Sequence, residues 1–128
     1  MTAAAKRYEC TVMVEVEFIP EQSDVARNRY VFAYHIKIVN TGNIAAQLIS
    51  RHWVINEANG EQQEVKGLGV VGAQPLLNPG DTFAYTSGTV LSTPMGEMRG
   101  TYQMVADDGV QFDAIIQPFA LTMPRVLH

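Results

Sequence analysis

Hydrophobic and polar residues alternate along most of this chain. In residues 10–19 one side of the predicted strand carries Val12, Val14, Val16 and Phe18, and in residues 30–39 it carries Tyr30, Phe32, Tyr34, Ile36 and Ile38. A period of two places successive side chains on opposite faces of an extended chain, so each stretch predicts a half-buried β-strand. A third strand is predicted over residues 47–56, with a core face formed by Ile49, Trp53 and Ile55. Further strands are predicted at 61–66, 82–87, 101–106 and 110–122.

Turn sequences separate several of these strands. Asn59-Gly60 and Asp107-Asp108-Gly109 are typical of tight hairpins, and we expect positive φ angles at both residues of the Asn-Gly pair. The segment Leu77-Asn-Pro-Gly80, followed by Phe83 and Tyr85, is typical of the connection between the sheets of immunoglobulin-like sandwiches. With no helical periodicity, the chain is predicted to form an all-β, immunoglobulin/fibronectin type III-like antiparallel β-sandwich of about seven strands.

Residues 65–100 contain seven of the ten glycines, together with prolines at positions 75, 79 and 94. Glycine and proline at this density fix backbone shape where regular structure is interrupted. We therefore predict two shaped loops, residues 67–80 and 87–100, on the β scaffold.

The first of these segments contains Gly67-Leu-Gly-Val-Val-Gly72, which matches the G-x-G-x-x-G pattern of dinucleotide-binding folds. That mechanism needs a helix after the motif, and Pro75 and Pro79 exclude a long helix there. Two interpretations remain open. The glycines serve backbone conformation and close strand approach, or their backbone N–H groups form a nest for an anion beside Lys66.

Length and composition limit the class of protein. A chain of 128 residues is the size of one domain, which we assign to residues 1–128 with a core at about 8–124. The formal charge of −4 argues against nucleic-acid binding. Cys10 is the single cysteine and the N-terminal residues lack an apolar signal region, so we expect a cytoplasmic location. The apolar runs are far shorter than the roughly 20 residues that span a bilayer, so no membrane insertion is expected.

No residue set points to catalysis or to a bound metal. The potential ligands His35, His52, His128 and Cys10 lie on separate elements, without a spacing typical of metal sites. The G-x-S-x-G pattern of serine nucleophiles is absent, and Asp107, Asp108 and Asp113 lie in or near a hairpin turn. We predict a protein that is not an enzyme and needs no cofactor.

Several segments resemble the ApaG family. They are R-H-W-V-I from Arg51, V-V-G-A-Q-P-L-L-N-P-G-D-T-F-A-Y-T-S-G from Val70, T-P-M-G-E-M-R-G-T-Y-Q-M from Thr93 and D-G-V-Q-F-D-A from Asp108. The resemblance implies an immunoglobulin- or fibronectin-like sandwich. It also implies a link to diadenosine tetraphosphate metabolism, cobalt resistance and magnesium efflux. Related domains in F-box proteins and in a DNA polymerase delta-interacting protein imply protein binding, and the family offers no established catalytic residues to transfer.

The sequence thus favours a non-enzymatic module that binds an unidentified protein partner through its loops. Predicted contact residues are His52, Gln74, Pro75, Leu76, Tyr85 and Arg99. The alternative is binding of a nucleotide or polyphosphate by the segment 67–72. The residues predicted to hold that anion are Lys66, Gly67, Gly69, Gly72, Arg51 and Arg99. Exposed sheet edges also allow a homodimer.

Overall fold

The computed structural model describes residues 6–124, which form eight β-strands and two short 3₁₀ turns. The strands are β1 (Cys10–Phe18), β2 (Tyr30–Asn40), β3 (Ala46–Glu57), β4 (Gln62–Leu68), β5 (Leu76–Leu77), β6 (Thr82–Leu91), β7 (Met95–Ala106) and β8 (Gln111–Thr122). The 3₁₀ turns, Pro20–Gln22 and Val25–Arg27, lie between β1 and β2. No helix in this part of the chain is long and apolar enough to cross a membrane.

The strands form two antiparallel sheets. One has the order β1-β2-β6, and the other has the order β4-β3-β7-β8, with β5 paired to the start of β3. This arrangement confirms the predicted β-sandwich, and the strand beyond the expected seven is the two-residue β5. The chain crosses from the second sheet to the first between β5 and β6, where the segment Leu77-Asn-Pro-Gly80 was predicted to make that connection.

The core lies between the sheets and centres on Trp53 of β3. Its indole packs edge-on against Tyr34 at 5.4 Å between ring centroids, against Phe119 at 6.0 Å and against Tyr102 at 6.3 Å. Aromatic pairs in this geometry add about 0.5–1.5 kcal/mol each beyond the effect of buried area. Because Tyr34 belongs to one sheet and Trp53, Tyr102 and Phe119 to the other, this cluster joins the two layers.

A β-bulge changes which residues of β3 face the core. The pairing of β3 with β7 shifts register between Leu48 and Ser50, so Ile49 has no partner in β7. An extra residue reverses the alternation of side chains, and Leu48 and Trp53 therefore both point inward. Leu48 is fully buried and Ile49 is only partly buried, so the prediction that Ile49 shares the core face was wrong.

The prediction of a loop over residues 87–100 was also wrong. Its residues belong mostly to β6 and β7, and only 92–94 connect the two strands. The glycines here allow close packing within the sandwich. A Cβ on Gly100 would clash with the carbonyl oxygen of His52, and one on Gly96 would lie 2.7 Å from Cδ1 of Leu91.

The two predicted hairpins are present with a different turn geometry. Gly60 and Gly109 have φ angles of 87° and 88°, whereas the residues that precede them keep negative φ. In the first hairpin, the N–H of Gly60 donates to the carbonyl of Glu57 (3.0 Å), and the N–H of Glu57 donates to the carbonyl of Glu61 (2.8 Å). This pattern is a type I turn closed by one left-handed glycine, so Asn59 does not need the positive φ expected for it.

Candidate functional site

The segment that leaves β4, residues 69–75, forms a tight turn that we call the glycine loop. Val70 and Ala73 each donate a backbone N–H to the carbonyl of the other, at 2.8 and 2.9 Å. Val71 and Gly72 lie between them with φ angles of 43° and 80°. Two consecutive positive φ angles define a type I′ turn, for which asparagine, aspartate and glycine are the usual residues. A β-branched valine at the first position is therefore exceptional.

The glycine loop is anchored to the bulge in β3. The carbonyl of Ile49 accepts the N–H of Gly69 (2.8 Å) and the side-chain Nε2 of Gln74 (2.9 Å). Gln47 Nε2 in turn donates to the carbonyl of Gln74 (3.1 Å), and Val70 is fully buried beneath the loop. The position of Gly69 excludes any side chain, because its φ is 62° and a Cβ would clash with the carbonyl oxygen of Ala73.

Arg51 lies flat against Gly67, its partner in β4. A Cβ on Gly67 would lie 2.8 Å from the guanidinium carbon and from both terminal nitrogens of Arg51. Across this open backbone, Arg51 Nη1 donates to the carbonyls of Leu68 and Gly69, each at 2.9 Å. The absence of a side chain at Gly67 thus lets a cation on β3 fix the start of the glycine loop.

These contacts differ from an anion nest. A nest presents several free N–H groups, whereas the N–H groups of Gly69, Val70 and Ala73 are donated within the protein. At the tip of the turn, the N–H groups of Val71 and Gly72 have no acceptor among the described residues. The loop directs two carbonyl oxygens toward the guanidinium of Arg51, and that guanidinium lies on the inner side of β3 with Trp53. The contacts of Gly67 and Gly69 therefore favour the first interpretation, close approach and backbone conformation. A Cβ on Gly72 would meet nothing within 4 Å, and its φ of 80° is its one structural requirement for glycine.

The neighbouring outer face of the second sheet contains a shallow concavity of about 480 Å³. Its lining residues are Ser50, Arg51, His52, Lys66, Gly67, Leu68 and Gln103. His52 Nε2 lies 2.7 Å from Glu64 Oε1, and Lys66 Nζ lies 3.5 Å from the same oxygen. The hydrogen bond to His52, followed by the charge of Lys66, lowers the pKa of Glu64. An anionic Glu64 offsets the positive charge available beside the concavity.

The remaining predicted residues are dispersed. Arg99 is exposed on β7, opposite Val54, where it pairs with Glu97 at 3.9 Å between Nη1 and Oε1, and it does not line the concavity. Tyr85 is half-buried against the core, and its hydroxyl lies 2.5 Å from that of Tyr102. Burial raises the pKa of Tyr85 to about 12. This inward position makes Tyr85 a packing residue, in contrast to its predicted role as a surface contact.

Three exposed apolar side chains lie at the glycine loop, and the sequence analysis named only one of them, Leu76, as a contact residue. Leu68 is 75% exposed, Val71 62% and Leu76 59%, which are the three highest values among the large hydrophobic side chains of the described residues. We call these three residues the apolar rim. Leu68 and Val71 occupy variable positions of the G-x-G-x-x-G pattern, and the sequence analysis assigned roles only to its glycines. The valine-glycine pair at the turn was the signal available in the sequence.

Within residues 6–124 no three His, Cys, Asp or Glu side chains cluster in a way that could hold a metal ion. Pro75, the remaining predicted contact residue, lies at the end of the glycine loop, and its carbonyl accepts the N–H of Leu48 (3.0 Å). It is half-buried, unlike its neighbour Leu76.

Comparison with known proteins identifies relatives along nearly the full chain. A family model described as the ApaG domain matches residues 20–106. The chain is 65% identical over 123 residues to Protein ApaG of Methylobacillus flagellatus, which covers 96% of this chain and 97% of that protein. It is 62% identical over 126 residues to Protein ApaG of Nitrosospira multiformis, with coverage of 98% and 99%. The crystal structure of a protein described as ApaA from Bordetella pertussis superposes with a TM-score of 0.93 at 54% identity, covering 96% of this chain and 100% of that one. The chain therefore belongs to the ApaG family.

Proposed function

We propose that this ApaG-family protein is a non-enzymatic binding module that docks another protein on the apolar rim of its glycine loop. The observation that carries the proposal is Val71, a β-branched residue held at a φ of 43° with its side chain 62% exposed. Strained backbone of this kind costs about 1–3 kcal/mol and occurs preferentially at functional sites. Glycine or asparagine at this position would adopt the turn with less strain, and a role for the exposed valine side chain would account for its presence.

The apolar rim has the chemistry of a protein-docking surface. Leu68 is more exposed than Val71, and Leu76 is nearly as exposed. Leu68 and Leu76 flank the anchored glycine loop, and Val71 lies at its turn. Contiguous exposed apolar groups surrounded by polar ones are typical of interaction sites. Polar residues are available around the rim at Gln74 and His52. Because hydrogen bonds to Ile49 hold the loop in place, a partner would meet a surface that is already ordered, and less entropy is lost on binding.

A single substitution separates the proposed role of Val71 from its effect on folding. Replacement by glycine removes the side chain and relieves the backbone strain, so we expect the free energy of unfolding of Val71→Gly to stay within about 1 kcal/mol of the wild type. A photo-crosslinking amino acid introduced at Leu76 should capture a specific partner in cells, and Val71→Gly should abolish that product. The matched control is Met13→Ala, which removes an exposed apolar side chain from the other sheet. An unchanged crosslink in the Val71→Gly background, or no specific product at all, would refute the proposal.

A second candidate function is anion binding in the concavity beside Lys66. The observation that favours it is the convergence of Lys66 and His52 on one pocket of about 480 Å³. Binding would then use these side chains and not the amide of Gly69, which is donated to Ile49. Titration with ATP and with diadenosine tetraphosphate, followed by amide NMR, tests it. Saturable shifts at Lys66 that disappear in Lys66→Ala would support this function, and silence up to about millimolar ligand, the weak limit for specific sites, would eliminate it.

The family resemblance extends the proposal to a pathway. We propose that the docked protein acts in diadenosine tetraphosphate metabolism or in cobalt and magnesium handling. Identification of the crosslinked partner tests this step independently of the contact itself.

A further inference from the structure

Strand β4 lies at the edge of the second sheet. Among the strands of residues 6–124, it pairs with β3 on one side and with no strand on the other. Hydrogen bonds at both ends of the β3–β4 ladder, Gly69 to Ile49 and Glu57 to Glu61, establish which residues face β3. Antiparallel pairs alternate, so residues 63, 65 and 67 exchange backbone hydrogen bonds with β3. The N–H and C=O groups of residues 62, 64, 66 and 68 therefore point outward from the edge.

The sequence of β4 is complementary to itself when two copies run antiparallel. A two-fold axis at Val65 places Glu64 of one copy directly opposite Lys66 of the second copy, and the same pair recurs on the other side of the axis. Glu64 and Lys66 are the only charged residues of β4. Both lie on the outer face of the sheet, with the side chain of Glu64 52% and that of Lys66 71% exposed.

This register also matches the free backbone groups. It pairs residue 62 with 68 and residue 64 with 66, and these four positions are the ones whose N–H and C=O groups point outward. The C=O of Leu68 already accepts one hydrogen bond, from Arg51 Nη1, so its pairing with residue 62 would use the second lone pair of that oxygen. Val65 of each copy meets its counterpart on the inner face, where it is 39% exposed in the single chain. The charge pairs, the outward direction of the backbone N–H and C=O groups, and the contact between the two Val65 side chains thus favour the same register.

The other long edge strands lack this combination. Pro118 interrupts β8, and a proline cannot donate a hydrogen bond to an added strand. Strand β1 carries only the acidic residues Glu15 and Glu17, and β6 carries no charged residue. Opposite charges directly across a strand pair stabilise it by about 0.2–1 kcal/mol, whereas like charges destabilise it.

We propose that two copies of this chain associate by antiparallel pairing of β4 with β4, centred on Val65. The pairing joins the two five-stranded sheets into one continuous layer. It is independent of the proposed partner contact, because Val71 takes no part in it. An interface of one strand pair is small, so we expect a weak, concentration-dependent dimer.

The experiment uses two charge reversals, Glu64→Lys and Lys66→Glu, in the intact protein. Each variant alone places like charges opposite each other twice, and we expect its dimerisation to weaken about tenfold or more. When the two variants are mixed, both cross-strand pairs become complementary again. Analytical ultracentrifugation should therefore find dimer for the wild type and for the mixture, and mainly the 14.1 kDa monomer for each variant alone at the same concentration.

Two further variants isolate the edge itself. Lys66→Pro removes an outward N–H without removing a bond to β3, and it should abolish dimerisation. Arg99→Glu reverses a charge on the same sheet face but on β7, and it should leave dimerisation unchanged. Circular dichroism verifies folding, and heterodimer in the mixture independently shows that both charge variants fold.

Three results would overturn the inference. They are a wild type that remains monomeric at all concentrations, single variants that dimerise as well as the wild type, and a mixture that does not dimerise. The second result would move self-association to another edge, and the third would exclude this register.

Discussion

The contact between Gly67 and Arg51 gives a quantitative test of what the glycine motif does. If Gly67 is glycine because Arg51 must lie across it, the effect of Gly67→Ala should depend on the residue at position 51. The added Cβ would lie 2.8 Å from the guanidinium, which must move and release the carbonyls of Leu68 and Gly69. We therefore predict strong coupling between the two positions.

The magnitude follows from the two hydrogen bonds. A hydrogen bond to a charged group contributes about 1.5–3 kcal/mol to the free energy of unfolding. Arg51 is half-exposed, so water replaces part of this contribution when the guanidinium moves away. We take about 1–2 kcal/mol as the loss for the pair. Replacing glycine by alanine in a strand also stabilises by about 0.5–1 kcal/mol, because the unfolded chain loses freedom. Gly67→Ala should thus destabilise the wild type by about 0.5–1 kcal/mol and stabilise the Arg51→Met variant by a similar amount.

Urea unfolding of the wild type, both single variants and the double variant measures this coupling. Trp53, the single tryptophan, lies in the core and provides the fluorescence signal. A coupling energy of about 1–2 kcal/mol is expected, well above the roughly 0.3–0.5 kcal/mol within which independent sites add. Equal effects of Gly67→Ala in the two backgrounds would refute the reasoning and would leave the glycine at position 67 unexplained by packing.

Two further predictions concern the core. Gly100→Ala should destabilise the protein by about 3 kcal/mol or more, because its Cβ would clash with the carbonyl oxygen of His52 and approach Trp53 Cε3 within 3.1 Å. Gly88→Ala is the milder control, because its Cβ would lie 3.2 Å from the nearest atom, the carbonyl oxygen of Phe32. Equal decreases of the urea midpoint in the two variants would contradict this account. Burial raises the pKa of Cys10 from 9.0 to about 11, so the folded state retains the thiol proton longer than the unfolded state. Stability from this group should be complete below pH 9 and decline by up to about 2 kcal/mol as pH rises to 11. The measurement is the free energy of unfolding as a function of pH for the wild type and for Cys10→Ala. The difference between the two profiles removes the contributions of the tyrosines, and a difference that stays constant between pH 8 and pH 11 would disprove the effect.

The sequence by itself determined the layered β architecture. Alternation in β1 and β2 identified their core faces because a strand beside a single core must bury every second residue. Turn chemistry located the Asn-Gly and Asp-Gly hairpins, although both close with one left-handed glycine instead of two positive φ angles. The connection from β5 to β6 was likewise predicted from a local segment, because its proline and glycine act on the backbone where they stand.

Tertiary structure alone decided the details that form the candidate site. The bulge at Ile49 arises from the pairing of β3 with β7, and it turns the side chain of Leu48 into the core. The carbonyl of Ile49 in this bulge anchors the glycine loop. Gly96 and Gly100 lie in a segment with the composition of a loop, but their lack of side chains allows close contact with Asn56 and His52, which are 40 and 48 positions away along the chain. The exposure of Leu68 and Val71 depends on how the loop is anchored. Local sequence specifies which residues can turn or alternate, whereas register and close approach depend on atoms that only the folded chain brings together.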